Sequence, residues 1–183
     1  MLDKFLKQRF NRMVFHSLHA GDDKTFIEKN KDNQCFLLKS LIKNAQFYVY
    51  VYCDDCHTLM DKGVFEILLN KTDAEVKIIL NRMDEPSPDI AQKLSQLNGK
   101  VRFTDKMHDR HFYVSDYKRW ALKKNHEFFY NFGSFEMAGA MKSAFQRMWD
   151  TSDDFIAPHF IGSHPCNDKS AQQTKENLNG REI

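Results

Sequence analysis

The strongest signal in the chain is KMHDRHFYVSD-YKRWALKKN-HEFFYNFGSFE, residues 106–136. Residues 111–115 and 127–132 are short runs of aromatic and β-branched side chains, which are typical of strands. The polar and basic residues between them predict the turn of a long hairpin. We therefore expect the two runs to be the paired, antiparallel arms of that hairpin.

The open end of this hairpin carries groups that suit a phosphate. His108 and Arg110 come from the first arm, and Gly133 and Ser134 come from the second. Arginine clamps a phosphate through two parallel hydrogen bonds, and a Gly-Ser turn entering a helix offers backbone amides to an anion. Histidine supplies nucleophilic or acid–base chemistry near neutral pH. We expect His108, Arg110 and Ser134 to line one cavity, with Glu136 at its edge and paired with a cation.

This pattern resembles the phospholipase D superfamily, whose motif is His-x-Lys, four residues and Asp, followed by Gly-Ser-x-Asn. It resembles in particular the branch in which His-Asp-Arg replaces His-x-Lys. The resemblance covers roughly residues 35–149 and includes one copy of the motif. The matching positions are His108, Arg110, Ser115, Asp116, Gly133, Ser134 and Glu136.

Three positions depart from the family pattern. Arg110 keeps the positive charge of the lysine, but arginine does not give up a proton in proteins. Ser115 stands at the Asp position and Asp116 follows one residue late, which turns its side chain to the other face of a strand. Glu136 stands at the Asn position and brings a carboxylate towards the phosphate. These departures leave binding without cleavage open beside catalysis.

The resemblance implies a metal-independent phosphodiesterase of the nuclease type, in which His108 attacks phosphorus and forms a phosphohistidine. Because the chain has one motif, an active site needs two chains that meet at the motif face as a homodimer. No cofactor or metal is implied. The expected substrate is nucleic acid, DNA or RNA, and the alternative is a degenerate module that binds nucleic acid or another phosphorylated partner. The expected substrate-binding residues are Asp116, Glu136, Lys118, Arg119, Trp120, Lys123 and Lys124.

The order of elements predicts an α/β fold with a mixed central β-sheet flanked by helices, which is the arrangement of a phospholipase D-like half. Residues 1–33 are expected to form a helix and a loop that pack on the domain, residues 34–166 the domain itself, and residues 167–183 a disordered polar tail. The remaining predicted strands are 46–52 and 75–80, which are parallel, and 100–103. The predicted helices are 2–18, 35–45, 58–70, 89–97 (with Asp89 as N-cap) and 137–149.

Composition excludes several classes of function. Charged residues make up 28% of the 183, yet the net charge is only +2, so the charge of the whole chain does not indicate a partner. No apolar run approaches the roughly 20 residues of a membrane span. The first residues are too charged for a signal peptide. Four cysteines without an export signal favour reduced thiols and a cytoplasmic location.

The spacing Cys53-x-x-Cys56-His57 admits several interpretations. A strand-to-helix loop with unpaired thiols is favoured, while a redox pair remains open. A c-type haem needs export and an axial partner that the sequence does not indicate. A zinc site also remains open, and its distant candidate ligands are His159, His164 and Cys166.

Overall fold

A mixed β-sheet runs through the whole domain. The computed structural model describes residues 2–53, 59–60, 63–81, 87–97, 99–105 and 111–154. Within this part of the chain the sheet has eight strands in the order β1-β7-β6-β5-β2-β3-β4-β8. Their bounds are β1 Phe26–Glu28, β2 Tyr48–Cys53, β3 Glu75–Asn81, β4 Val101–Thr104, β5 His111–Ser115, β6 Arg119–Lys124, β7 Glu127–Asn131 and β8 Asp153–Asp154.

Helices cover both faces of this sheet. Those described are α1 Leu2–Ala20, α2 Lys31–Lys43, α3 Val64–Leu69, α4 Pro88–Ser95 and α5 Phe135–Asp150. The first four contribute apolar side chains to one core, and α5 packs on the opposite face with a second core. The predicted α/β fold with a mixed, helix-flanked sheet is confirmed. No helix in the described ranges combines the length and the apolar character that crossing a membrane requires.

Strand β2 lies in the middle of the sheet, and every one of its residues is buried. Its side chains alternate between the two faces, so Val49 and Val51 join the core under α1 to α4 while Tyr50 and Tyr52 join the core under α5. Strand β2 pairs parallel with β3, as predicted, and antiparallel with β5. This double burial explains why its sequence, YVYVYC, is apolar and aromatic without interruption.

The predicted two-armed hairpin is wrong. Residues 119–124, expected to be its turn, form strand β6, which pairs with β5 on one side and with β7 on the other. Trp120 and Ala121 are buried on opposite faces of the sheet. Two tight turns make this possible, because Asp116 (φ 53°) and Asn125 (φ 56°) adopt the left-handed conformation that Asp and Asn tolerate best among residues with a side chain.

Strand β6 determines which strand ends lie together at each end of the sheet. We call one end the carboxyl edge, since the parallel strands β2, β3 and β4 end there at Cys53, Asn81 and Thr104, and β5 begins there at His111. The other end, the amino edge, is where β5 ends and β6 begins, and where β7 ends at Asn131. The chain therefore enters β5 at the carboxyl edge and enters α5 from the amino edge.

The N-terminal region is more ordered than predicted. Residues 21–33 were expected to be a loop with at most one helical turn; they contain the start of α2 and also β1, which pairs with β7. The side chain of Asn30 caps α2 by accepting a hydrogen bond from the Asn33 amide at 3.1 Å.

Two further boundaries differ from the sequence predictions. Ser87 rather than Asp89 occupies the N-cap position of α4, and α5 begins at Phe135, two residues before the predicted start. Pro88 opens α4, where its missing amide hydrogen costs no helical bond. The predicted tail, residues 167–183, lies outside the described residues, and the proposed domain boundaries stay predictions.

Candidate functional site

The carboxyl edge is the place where the sequence motif enters the fold. Residues 106–110, which include His108 and Arg110, lie outside the described residues, but their described neighbours Asp105 and His111 follow β4 and open β5. Residues 54–58 likewise follow the end of β2. In open α/β sheets, ligands bind at the carboxyl ends of parallel strands because several connecting segments meet there. Chain connectivity thus makes this edge the candidate site.

Strand β6 brings two lysines to the same edge. Lys123 lies directly opposite His111, and Lys124 lies opposite Glu127 beside the turn at residues 125–126. Glu127 is held by Lys29, with 2.7 Å between Nζ and Oε1. Lys123 and Lys124 form no ion pair with any other residue in the described ranges. Their charges are therefore available to an anion approaching this edge.

Cys53 is fully buried at the carboxyl end of β2. Its sulfur lies 3.3 Å from the hydroxyl of Tyr113, so this thiol belongs to the core. Cys56 and His57 lie outside the described residues, as do the more distant predicted zinc ligands. Among the residues that the structure does describe, no group of three or more His, Cys, Asp or Glu side chains is arranged to hold a metal ion. The role of the Cys-x-x-Cys-His sequence stays a prediction.

The Gly-Ser turn does not offer free amides to a phosphate. The side-chain oxygen of Asn131 accepts hydrogen bonds from the Gly133 amide at 2.8 Å and from the Ser134 amide at 2.9 Å. The nitrogen of the same side chain donates to Asp23 at 3.1 Å, and Asn131 is buried. The amides that sequence reasoning assigned to an anion are thus satisfied within the protein.

Gly133 is needed for packing. A Cβ at this position would stand 2.1 Å from the carbonyl oxygen of Gly21 and 2.7 Å from the Asp23 nitrogen. The loop that follows α1 therefore passes directly over Gly133, and any side chain there would collide with backbone. This close approach accounts for the glycine of the Gly-Ser pair without reference to a ligand.

Ser134 and Glu136 also lie away from the carboxyl edge. Ser134 occupies the N-cap position of α5 with no capping bond from its side chain, and Glu136 is exposed in the first helical turn. The predicted convergence of His108, Arg110 and Ser134 rested on the two-armed hairpin. With β6 inserted, Ser134 follows the amino edge, separated from the start of β5 by at least roughly 13 Å of strand. Arg110 lies outside the described residues, so the predicted pairing of Glu136 with a cation stays a prediction.

Asp116 and Arg119 form a buried structural pair. Their side chains meet at 2.9 Å and are only 10% and 15% exposed, and Arg119 also donates to the carbonyl of Asn44 at 2.6 Å. The Asp116 carboxylate additionally accepts hydrogen bonds from the amides of Gln46 and Phe47. Both residues were expected to bind substrate. The structure instead uses the Asp116 carboxylate and the Nη1 of Arg119 to join the segment before β2 to the turn after β5.

The basic residues 118–124, which were predicted to form the turn of the hairpin, are divided between the two edges. Trp120, expected to stack on bases, is 5% exposed and packs under α5. Lys118 is at the amino edge, where its Nζ lies close to Gly21. Lys123 and Lys124 are at the carboxyl edge. The sequence analysis did not predict that these two lysines, and not Ser134, lie beside the entry to β5. The asparagine that follows them, Asn125, was the available sequence signal for a turn, because asparagine tolerates the left-handed conformation.

No family model and no curated protein matches this sequence. Similar solved structures include TrmBL2, an archaeal chromatin protein whose structure shows a mode of DNA binding, with a TM-score of 0.56, 15% identity and coverage of 85% of this chain. This chain spans 63% of the TrmBL2 chain.

Two further similar structures come from bacteria. Nuc from Salmonella typhimurium, a phospholipase D family member, matches with a TM-score of 0.55 at 12% identity, and NucT from Helicobacter pylori with 0.53 at 15%. Each match covers 72% of this chain and 99% of the other. At these identities the likeness concerns the fold, which is therefore phospholipase D-like.

Proposed function

We propose that this protein binds the phosphodiester backbone of nucleic acid at the carboxyl edge. The observation that supports the proposal is the position of Lys123, directly opposite His111 at the start of β5, with Lys124 next to it. His108 and Arg110 immediately precede this start in the sequence. Two separate segments thus bring cations to one end of the sheet. The fold shared with a DNA-binding chromatin protein, and with Nuc, a phospholipase D family member, supports the same ligand class, since phosphodiesters are common to both.

Electrostatics makes this site suitable for a polyanion and not for one tightly enclosed phosphate. Lys124 is exposed and Lys123 is half-buried, and as neighbours on β6 they project from opposite faces of the sheet at this edge. Such charges gain little from a single exposed ion pair, but they displace counterions when they neutralise successive phosphates. Binding should therefore weaken steeply with salt.

The test is a charge reversal at the edge. The double variant Lys123→Glu/Lys124→Glu should bind a fluorescent oligonucleotide at least about tenfold more weakly at low salt. Its slope of log affinity against log salt should fall by roughly 1.5, since each phosphate contact contributes about 0.7 to 0.9. The measurement is fluorescence anisotropy across a salt series with single-stranded and duplex DNA and RNA.

The matched control reverses two exposed lysines elsewhere. Lys43 ends α2 and Lys93 lies in the last turn of α4, both outside the carboxyl edge. The variant Lys43→Glu/Lys93→Glu has the same net charge as the edge variant, so it separates a local contact from a general loss of positive charge. If the two variants bound equally well, the carboxyl edge would not be the binding site.

A second candidate is hydrolysis, favoured by the His-x-Arg sequence at the entry to β5 and by the fold of Nuc and NucT. In this reaction His108 attacks phosphorus, the leaving oxygen departs with a proton, and water then releases the phosphate from histidine. Because Ser134 is at the amino edge, Arg110 and Lys123 would stabilise the charge on phosphorus. The second histidine would come from another copy of the chain.

Hydrolysis has its own experiment. Labelled DNA and RNA are incubated in EDTA with the wild type and with His108→Ala, while sedimentation measures the oligomeric state. Cleavage by a wild-type dimer that disappears in His108→Ala supports this candidate. Tight binding without cleavage contradicts the hydrolysis candidate and supports the proposed binding function.

A further inference from the structure

Two exposed aromatic rings stand side by side at the amino edge. Phe47 precedes β2 and is 58% exposed, while Tyr117 follows β5 and is 54% exposed. Their ring centroids are 5.7 Å apart, and the ring planes are inclined by 53°. We call Phe47 and Tyr117 the aromatic pair. Large exposed rings on two different connections are costly to keep in water unless they serve contacts.

The aromatic pair is held by a buried carboxylate. Asp116 accepts hydrogen bonds from the amides of Gln46 and Phe47, so it ties the connection before β2 to the turn that carries Tyr117. Arg119 in turn fixes the Asp116 side chain at 2.9 Å. The backbone that carries the two rings is therefore held in place, which lowers the entropy lost when a ligand orders this segment.

A cation accompanies the rings. The Nζ of Lys142 on α5 lies 4.3 Å from the ring centroid of Tyr48 and 5.2 Å from that of Tyr117. Tyr48 is buried beneath and meets Tyr117 edge to face, with centroids 5.8 Å apart. The surface thus combines two accessible π-faces with one positive charge at their side.

We propose that the aromatic pair is a stacking platform for the bases of single-stranded nucleic acid, with Lys142 beside it for the adjoining phosphate. The substrate class rests on the proposed function, and the inference adds that the strand is unpaired. Bases in a duplex stack on one another and leave no face for a side chain, whereas unpaired bases stack on aromatic rings. The rings offer faces on which bases stack, and the ammonium group of Lys142 offers a positive charge to the phosphate.

The platform and the carboxyl edge lie at opposite ends of β2. The five steps between the six residues of β2, at about 3.3 Å each, separate them by roughly 17 Å, which equals about five stacked nucleotides at about 3.4 Å. An oligonucleotide longer than this can reach both. Affinity should therefore rise with length up to about that size, and the rise should depend on the rings.

The test uses oligothymidine of about 20 nucleotides, a duplex of the same length, and four single variants. Phe47→Ala and Tyr117→Ala should each weaken single-strand binding about tenfold and change duplex binding less than about twofold. Tyr117→Phe should bind like the wild type, because it keeps the ring. Phe15→Ala is the matched control, since Phe15 is 64% exposed on α1, distant in sequence from the pair.

The outcomes separate this inference from the proposed function. Unchanged single-strand affinity in both ring variants, with a loss in Lys123→Glu/Lys124→Glu, overturns the platform and leaves the edge. A loss of single-strand affinity in the ring variants but not in Lys123→Glu/Lys124→Glu supports the platform and overturns binding at the carboxyl edge. Equal losses on single-stranded and duplex DNA overturn the preference for unpaired bases. A wild type that binds neither DNA nor RNA overturns both proposals. A ring variant that alters only the oligomeric state overturns the platform.

Discussion

The carboxylate of Asp116 accepts a hydrogen bond from the backbone amide of Phe47 at 2.9 Å, across 69 residues of sequence. The same carboxylate serves the Gln46 amide and the guanidinium of Arg119. One side chain therefore satisfies three donors at the amino edge. These partners lie in the segment before β2 and in β6, and they account for a carboxylate at position 116 without reference to a ligand.

Asp116→Ala should destabilise the fold by about 3 to 5 kcal/mol, because it leaves the buried charge of Arg119 without its partner. The double variant Asp116→Ala/Arg119→Met should lose less, since no buried charge remains unpaired. Urea unfolding followed by circular dichroism measures both free energies of unfolding. A single variant that lost under about 1 kcal/mol would show that the buried pair contributes little.

Two glycines near α5 should respond in opposite directions to the same substitution. Gly133→Ala puts a Cβ against the backbone of residues 21–23, so we expect a loss of at least about 3 kcal/mol or failure to fold. Gly139 lies within α5, exposed, and a Cβ there meets nothing within 4 Å. Gly139→Ala should stabilise the protein by up to about 1 kcal/mol, because alanine is the better helix former.

Thermal and urea unfolding of the two variants provide the comparison. Because both changes add one methyl group, each variant controls for the other. A Gly133→Ala protein as stable as the wild type would mean that the loop after α1 shifts away without loss.

The strands with the clearest chemistry were predictable from sequence. Strand β2 is apolar throughout, and the bounds of β5 match the predicted run of residues 111–115. Strand β6 was missed because its sequence, RWALKK, ends in two lysines and begins with arginine, which looks like a solvated turn. Only the pairing with β5 and β7 shows that Trp120 and Ala121 alternate between two cores.

Ser134 was expected beside the entry to β5, and it lies at the amino edge for a related reason. Each additional antiparallel strand reverses the chain, so one missed strand moves everything after it to the other end of the sheet. The Asn131-Phe132-Gly133-Ser134 sequence did contain a usable signal, because an asparagine readily accepts from amides two and three residues later. The contact of Gly133 with the loop after α1 joins residues over a hundred positions apart, and no local pattern reveals it.

Ser134→Ala should leave nucleic-acid affinity within about twofold of the wild type, because the Ser134 amide is already bonded to Asn131 and Ser134 belongs neither to the carboxyl edge nor to the aromatic pair. His108→Ala, in contrast, removes a group from the segment that enters β5 and should weaken binding or abolish cleavage. Fluorescence anisotropy and the EDTA cleavage assay compare the two. If Ser134→Ala lost as much as His108→Ala, the Gly-Ser turn would belong to the binding site.

Buried tyrosines should make the fold sensitive to alkaline pH. Burial raises the pKa of Tyr48 well above 10, and the charges of Asp116 and Tyr117 raise it further. Burial also raises the pKa of Tyr50, with a further contribution from its hydrogen bond to Glu75. In the unfolded chain a tyrosine ionises near pH 10. Below that pH both states are protonated and the stabilisation is complete; above it the unfolded state loses its protons first, so stability falls as pH rises towards the folded pKa.

Tyr48→Phe isolates one of these groups. The Tyr48 hydroxyl is buried and has no hydrogen-bond partner among the described residues, so removing it should cost nothing at neutral pH and should stabilise by up to about 1 kcal/mol. Above about pH 10 the variant should lose stability less steeply than the wild type, by up to about 1.4 kcal/mol per pH unit for one proton. Urea unfolding from about pH 8 to about pH 11 gives both slopes. Parallel slopes would mean that Tyr48 ionises as readily in the folded protein as in the unfolded chain.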